Sequence, residues 1–151
     1  MAFHVRRQIR DAVHSLVSGG GTSLGANVFN SRIELYANSE LPAGAVYTRR
    51  DETDPELVQI SGVVERTLLL SIEVRAKAAS GMENELDLAD AEIQALIMAD
   101  ATIGALAFDT SHLATEIEFD NASEQKVGVA TIDYRVLYRI DEKDATVAVT
   151  T

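Results

Sequence analysis

The chain has 151 residues, of which 46% are hydrophobic and 25% charged, the size and composition of one globular domain. It carries 24 acidic and 13 basic residues, a net charge of −11, and a protein this acidic is poorly suited to binding nucleic-acid phosphates. The absence of cysteine excludes disulfide scaffolds and thiolate metal sites, and no apolar run approaches the roughly 20 residues of a membrane span.

The first predicted element is an amphipathic helix over His4 to Ser18, because apolar residues recur there at steps of three and four. Arg6, Arg7 and Arg10 lie largely elsewhere on this helix and form the one basic patch of an acidic chain. Three glycines at 19–21 end the helix. Residues 1–7 lack the apolar run of a secretory signal, so we do not expect secretion.

Short strands are predicted between residues 27 and 60. Asn27 to Tyr36 alternates apolar and polar residues, Ala45 to Thr48 is shorter, and Leu57 to Ile60 is a further strand. The segment Arg49 to Glu56 contains two arginines, four acids and one proline, and it contains no core-forming residue. We therefore predict that this segment is an exposed, mobile loop that makes no core contact and becomes ordered only when a partner docks.

The longest predicted strand is Val63 to Lys77. Its even-numbered residues are mostly apolar and its odd-numbered residues mostly polar, as in a strand with one buried face. Ser80 and Glu83 fit a capping box, with Ser80 as the N-cap of a helix that ends near Asp100.

Two more strands, Leu113 to Asn121 and Val127 to Ile140, are predicted to pair as a hairpin, since turn-forming residues follow the first of them. The elements thus run α-β-β-β-β-α-β-β. This order predicts an α+β fold: a mainly antiparallel sheet, two principal helices on one face, and one long hairpin arm. We expect one domain over residues 1–140 and a polar C-terminal tail over residues 141–151.

No pattern of catalytic or ligand-binding residues stands out. The glycine-rich stretch at 20–25 lacks the Lys and Ser or Thr that complete a phosphate-binding loop, and no histidine lies in a metal-binding spacing. The acid clusters near Asp51 and near Asp87 lack the spacing of a calcium loop. We predict a protein that is not an enzyme and that uses no cofactor or metal.

Five segments carry a resemblance to a known family. They are Ile9 to Leu16 in the first helix, Val28 to Arg32, Leu41 to Thr48 (Leu-Pro-Ala-Gly-Ala-Val-Tyr-Thr), Arg66 to Val74 before the acidic helix, and Ala130 to Arg139. In this order they resemble the tail terminator proteins of long-tailed bacteriophages, the minor tail protein U type. The resemblance spans nearly the whole chain.

The resemblance implies a structural virion protein that assembles as a homo-hexameric ring. Such a ring caps the tail tube, ends tube polymerisation and offers a head-joining surface, with the tube protein and a neck or head-completion protein as partners. It implies assembly in the host cytoplasm, a place at the head-proximal end of the tail, and DNA that only passes through the lumen. Two alternatives remain: another neck, head-closure or tube ring protein, and a small ligand-binding regulatory domain.

Two sets of residues are candidates for these contacts. The charged residues of the first helix and of the predicted loop are candidate interface residues: Arg6, Arg7, Arg10, Arg49, Arg50, Asp51, Glu52 and Asp54. Acids of the second helix and of the hairpin are candidates for the lumen wall, where they would repel DNA: Glu83, Glu85, Asp87, Glu116, Glu118 and Asp120.

Overall fold

Two helices and six strands make up the part of the chain that the computed structural model describes, residues 2–34, 36–53, 62–77, 81–120 and 127–149. In chain order they are α1 (Val5–Gly19), β1 (Val28–Asn30), a 3₁₀ turn (Asn38–Glu40), β2 (Ala43–Thr53), β3 (Val63–Lys77), α2 (Met82–Ala99), β4 (Asp109–Asp120), β5 (Val127–Asp141) and β6 (Asp144–Ala148). The strands form one sheet of order β1-β2-β3-β5-β4, and β6 pairs with the end of β5. Only the β1–β2 pair is parallel among the described pairs, so the predicted α+β fold is confirmed.

Both helices pack on one face of the sheet, here called the inner face, and the core lies between them and the strands. No described helix covers the opposite, outer face. Even-numbered residues of β3 and β5 point inward and are mostly buried, as the alternation predicted. The helices contribute matching apolar stripes: Val5, Ile9, Val13 and Val17 from α1, and Leu86, Ala89, Ile93 and Ile97 from α2. Burying a side chain of this kind contributes roughly 1.5–3 kcal/mol.

A glycine in β5 allows α2 to begin close to the sheet. Gly128 lies on the inner face, and a Cβ at this position would be 2.4 Å from Met82 Sδ. The helix begins at Met82 with Gly81 as its N-cap residue, in a left-handed conformation (φ 87°) that favours glycine. The predicted capping box, with Ser80 as N-cap, is therefore wrong, and Ser80 itself lies outside the described residues.

The predicted strand over Asn27 to Tyr36 is much shorter in the structure. β1 ends at Asn30, because Ser31 has a φ of 60° that takes the chain out of the strand conformation. Ile33, which was expected on the buried face, is 95% exposed.

The C-terminal half agrees with its predicted elements and adds one strand. The hairpin pairs β4 with β5 as expected, although β4 begins at Asp109, four residues earlier than predicted. Residues 144–148, placed by the sequence in a polar tail, form β6. The predicted strand Leu57 to Ile60 and the hairpin turn after Asp120 lie outside the described residues.

The imidazole of His4 caps α1. Its Nδ1 accepts a hydrogen bond from the backbone N–H of Arg6 at 3.0 Å, which requires an unprotonated nitrogen. Burial, followed by the positive charge of Arg6, lowers the pKa of His4 below its ordinary value of 6.5. The stabilisation from this cap is therefore present above about pH 6.5 and is lost as the pH falls below that value.

Replacing His4 with asparagine should remove this pH dependence, because an Asn side chain caps a helix without titrating. We expect His4→Asn to match the wild type within about 0.5 kcal/mol at pH 7.5, and to be the more stable protein at pH 5.5. Urea unfolding of both proteins at the two pH values measures the difference. An equal loss of stability in both proteins on acidification would contradict the role of His4.

Candidate interface surfaces

The charged segment predicted to be a mobile loop is strand over its described part. β2 continues to Thr53, which pairs with Arg66 of β3. The loop prediction for Arg49 to Glu56 is therefore wrong for residues 49–53, while residues 54–56, including Asp54, lie outside the described residues. The polar composition was misleading because backbone pairing with β3 does not depend on apolar side chains, and the outer face of this sheet is solvated.

A β-bulge at Arg49 turns Asp51 toward the core. The pairing register shifts by one residue between Thr48 and Arg50, and such a shift moves each following side chain to the other face of the sheet. Asp51 therefore lies opposite the buried Leu68, and its side chain is only 5% exposed.

The buried carboxylate of Asp51 is neutralised by two arginines. Arg6 Nη1 and Arg66 Nη1 lie 2.9 and 3.1 Å from Asp51 Oδ2, and the hydroxyl of Tyr138 donates to the same oxygen. Burial, followed by this hydrogen bond, raises the pKa of Tyr138, so the hydroxyl keeps the proton that it donates. These four residues, the Asp51 cluster, join α1, β2, β3 and β5, which gives Arg6 and Asp51 a structural role.

Three of the predicted interface residues lie together in the bulged part of β2. Arg49 Nη2 lies 3.1 Å from Glu73 Oε2, and Arg50 contacts Glu52 in the same strand. The side chains of Arg49, Arg50 and Glu52 are 44%, 72% and 53% exposed. Ion pairs this exposed contribute about 0–1 kcal/mol, so these side chains can exchange partners at little cost.

The remaining two arginines lie on α1. Arg7 is 48% exposed and pairs with Asp11 one turn further along the helix, at 3.6 Å. Arg10 donates to Asn30 Oδ1 and to the hydroxyl of Thr48, at 2.9 and 3.1 Å. Arg10 therefore links α1 to β1 and β2 beside the bulge.

The six acids predicted to face a lumen lie on two elements, the helix α2 and the edge strand β4. Glu83, Glu85 and Asp87 are exposed on α2, which covers the inner face. Glu116 and Glu118 lie opposite Thr131 and Val129 of β5, on the outer face, and Asp120 ends β4. The structure thus separates these acids: those of α2 lie on the helix that covers the inner face, and Glu116 and Glu118 lie on the outer face of the edge strand.

A set of hydrogen-bonded polar side chains connects α2 with the β4–β5 hairpin. The hydroxyl of Thr115 donates to Asp90 Oδ2 at 3.2 Å and lies 2.9 Å from His112 Nε2. The buried Tyr134 lies beside them, and its hydroxyl has no hydrogen-bond partner among the described residues. Burial and the Asp90 charge raise the pKa of Tyr134. Within the described ranges, no group of three or more acids and histidines could hold a metal ion.

The outer face carries a shallow hollow of about 260 Å³. Arg50, Leu69, Leu113 and Arg135, one residue from each of four neighbouring strands, line it together with parts of β2 and β3. The hollow is open and mostly apolar at its base, which is a feature of a contact surface and not of an enclosed ligand site.

Comparison with protein-family models finds no match, and no curated protein matches the chain either. No described helix is long and apolar enough to cross a membrane. The resemblance to tail terminators therefore rests on the five sequence segments alone.

Two members of the Asp51 cluster were missed by the sequence analysis. Arg66 is the one charged residue among the core-facing, even-numbered positions of β3. Because an unpaired charge is costly to bury, a charged residue at such a position indicates a buried partner. Tyr138 is among the even-numbered residues of the predicted strand Val127 to Ile140, which are apolar or aromatic, a pattern that predicts a position in the core. Its hydroxyl gives no signal of its own in the sequence.

Removing the carboxylate of Asp51 should destabilise the fold. Asp51→Ala leaves Arg6, Arg66 and Tyr138 without their shared acceptor, so we expect a loss of about 3 kcal/mol in the free energy of unfolding. The matched control is Glu52→Ala, one residue away and exposed, which should change stability by less than about 0.5 kcal/mol. Urea denaturation measures both. Similar values for the two variants would contradict the cluster.

The two core tyrosines provide a second comparison. Tyr138→Phe removes a hydrogen bond to a charged group and should cost about 1.5–3 kcal/mol. Tyr134→Phe removes a buried hydroxyl without a described partner and should leave stability unchanged or slightly raised. Thermal and urea unfolding of both variants measure this, and the opposite ranking would show that the hydrogen bonds are wrongly assigned.

Proposed function

We propose that this chain is the subunit of a hexameric ring that caps the tail tube of a long-tailed bacteriophage, ends tube polymerisation and provides the head-joining surface. Its partners are further copies of itself, the tube protein and a neck or head-completion protein. The ring acts at the head-proximal end of the tail after assembly in the host cytoplasm. Function of this kind depends on surface complementarity and involves no catalysed reaction.

The five segments that resemble tail terminators lie in connected elements. Residues 9–16 belong to α1, residues 28–32 begin in β1, and residues 41–48 lead into β2. Residues 66–74 and 130–139 belong to β3 and β5. β1, β2, β3 and β5 are neighbours in the sheet, and α1 packs on β1 and β2, so the resemblance concerns one continuous part of the fold.

The observation that carries the proposal is the free edge of β4. Among the described residues β4 pairs only with β5, and from His112 to Phe119 only Thr115 is partly buried. Such an edge presents unpaired N–H and C=O groups and readily joins another chain. Ring closure supplies a neighbour for this edge in every subunit.

The acidity of the chain suits a ring through which DNA passes. Each copy contributes a net charge of −11, and like-charge repulsion keeps DNA from adhering to an acidic wall. We propose the wall acids among Glu83, Glu85 and Asp87 of α2 and Glu116, Glu118 and Asp120 of β4.

The mass of the purified protein tests the ring. We expect native mass spectrometry to give six times the subunit mass of 16.3 kDa, and negative-stain microscopy to show rings with a central channel. When the protein is added to polymerising tail-tube subunits of its phage, it should bind one tube end and shorten the tubes. Bovine serum albumin at the same concentration is the control for non-specific effects.

Three outcomes would contradict the terminator assignment. Self-assembly into long tubes would identify a tube protein, and a stable dimer that binds a small molecule would favour the regulatory domain. A chain that stays monomeric at high concentration and leaves tube length unchanged would exclude the terminator role.

A further inference from the structure

Charge is distributed unevenly along the sheet. Residues 81–120, which form α2 and β4, contain ten Asp and Glu residues and no Lys or Arg. Residues 2–53, which form α1, β1 and β2, contain six Arg and five acids. The strand order is β1-β2-β3-β5-β4, α1 packs on β1 and β2, and α2 packs on β3, β5 and β4, so these two groups lie on opposite halves of the sheet. The half that ends in β4 is therefore strongly acidic, and the other half carries nearly half of the basic residues of the chain.

At both edges of the sheet, the strands near these charges also have backbone groups that no described strand pairs with. At the acidic edge, β4 pairs with β5 along one of its edges, and among the described residues no strand pairs with its other edge. At the other edge, β1 covers only residues 44–46 of β2, so within the described part of the chain the bulged segment 47–53 has no strand on the side that faces away from β3. Each free margin is long enough to accept a neighbouring strand.

We propose that the acidic β4 edge of one copy binds the arginine-bearing β2 edge of the next, so that copies join head to tail. Glu116 and Glu118 would face Arg49 and Arg50 of the neighbour. This inference rests on the proposed ring and identifies the surfaces that close it. Contacts between unlike surfaces generate rings, whereas pairing of like edges stops at a dimer.

Charge disfavours the pairing of two β4 edges. An antiparallel pair of β4 strands would place Glu116 and Glu118 of one copy near the same acids of the other, and like charges across strands are destabilising. The head-to-tail arrangement instead brings acids to arginines.

The side chains also lie on compatible faces of the sheet. Glu116 and Glu118 are on the outer face, and Arg50, opposite Leu69, is on the same face. A sheet that continues from β4 of one copy to β2 of the next therefore places these residues side by side. On the inner face, β4 adds the exposed apolar side chains of Ile117 and Phe119, which are 44% and 56% exposed and gain from burial.

Charge reversal at the two edges tests the proposal. One variant carries Glu116→Lys and Glu118→Lys, and the other carries Arg49→Glu and Arg50→Glu. Each variant alone should dissociate at least tenfold more readily than the wild type, since its reversed edge meets a like charge. An equimolar mixture should assemble again, because each reversed edge now finds an opposite one. Native mass spectrometry should show rings in which the two variants alternate, three copies of each.

The control variant, Glu83→Lys with Glu85→Lys, makes the same change in net charge as the β4 variant, on exposed residues of α2 that lie outside the proposed contact, and should still assemble. Circular dichroism verifies that all variants are folded. If the wild type forms rings and the two edge variants form them equally well, this interface is wrong while the ring stands. A mixture that gives only heterodimers would show pairing of like edges and would also overturn the inference. A wild type that forms no ring would refute the ring and the interface together.

Discussion

The carboxylate of Asp51 ties the first helix to the centre of the sheet. A buried negative charge is tolerated only with close partners, and here Arg6 comes from α1, Arg66 from β3 and a hydroxyl from Tyr138 of β5. The bulge at Arg49 makes this possible, since without it Asp51 would point to the outer face. Apolar burial holds α1 against the sheet, and the cluster adds a directional contact that fixes its position along β2.

The same bulge gives the β2 margin its basic character. The extra residue leaves Arg49 and Arg50 exposed next to each other, while the carboxylate beside them is turned inward and neutralised. One backbone irregularity thus separates a structural charge from two surface charges. On the other half of the sheet, α2 and β4 carry acids without any basic residue. The charge asymmetry of the sheet follows from both features, and in the proposed ring it would give the subunit a direction.

The two groups of candidate lumen acids lie on different faces of the sheet. Glu116 and Glu118 lie on the outer face at the free edge, where a neighbouring strand would pair. Glu83, Glu85 and Asp87 are exposed on the helix that covers the inner face. Under the proposed head-to-tail contact, the β4 acids are neutralised by the neighbour, and the α2 acids are left to face DNA. In the sequence all six are candidates for the lumen wall, because neither the strand order nor the position of α2 on the sheet can be read from it.

The sequence by itself determined α1, β3, α2, the β4–β5 hairpin and the α+β class, because each of these elements is long and keeps one hydrophobic period throughout. It also predicted that the charged residues at 49–52 are exposed, and the structure confirms this exposure for Arg49, Arg50 and Glu52, while their role at an interface stays a prediction. Only the tertiary structure decided that the side chain of Asp51 is buried and paired. Its partners Arg6 and Tyr138 are 45 and 87 positions away in the chain. A bulge and a set of distant partners leave no periodic signal, since both depend on which strands become neighbours after the chain has folded.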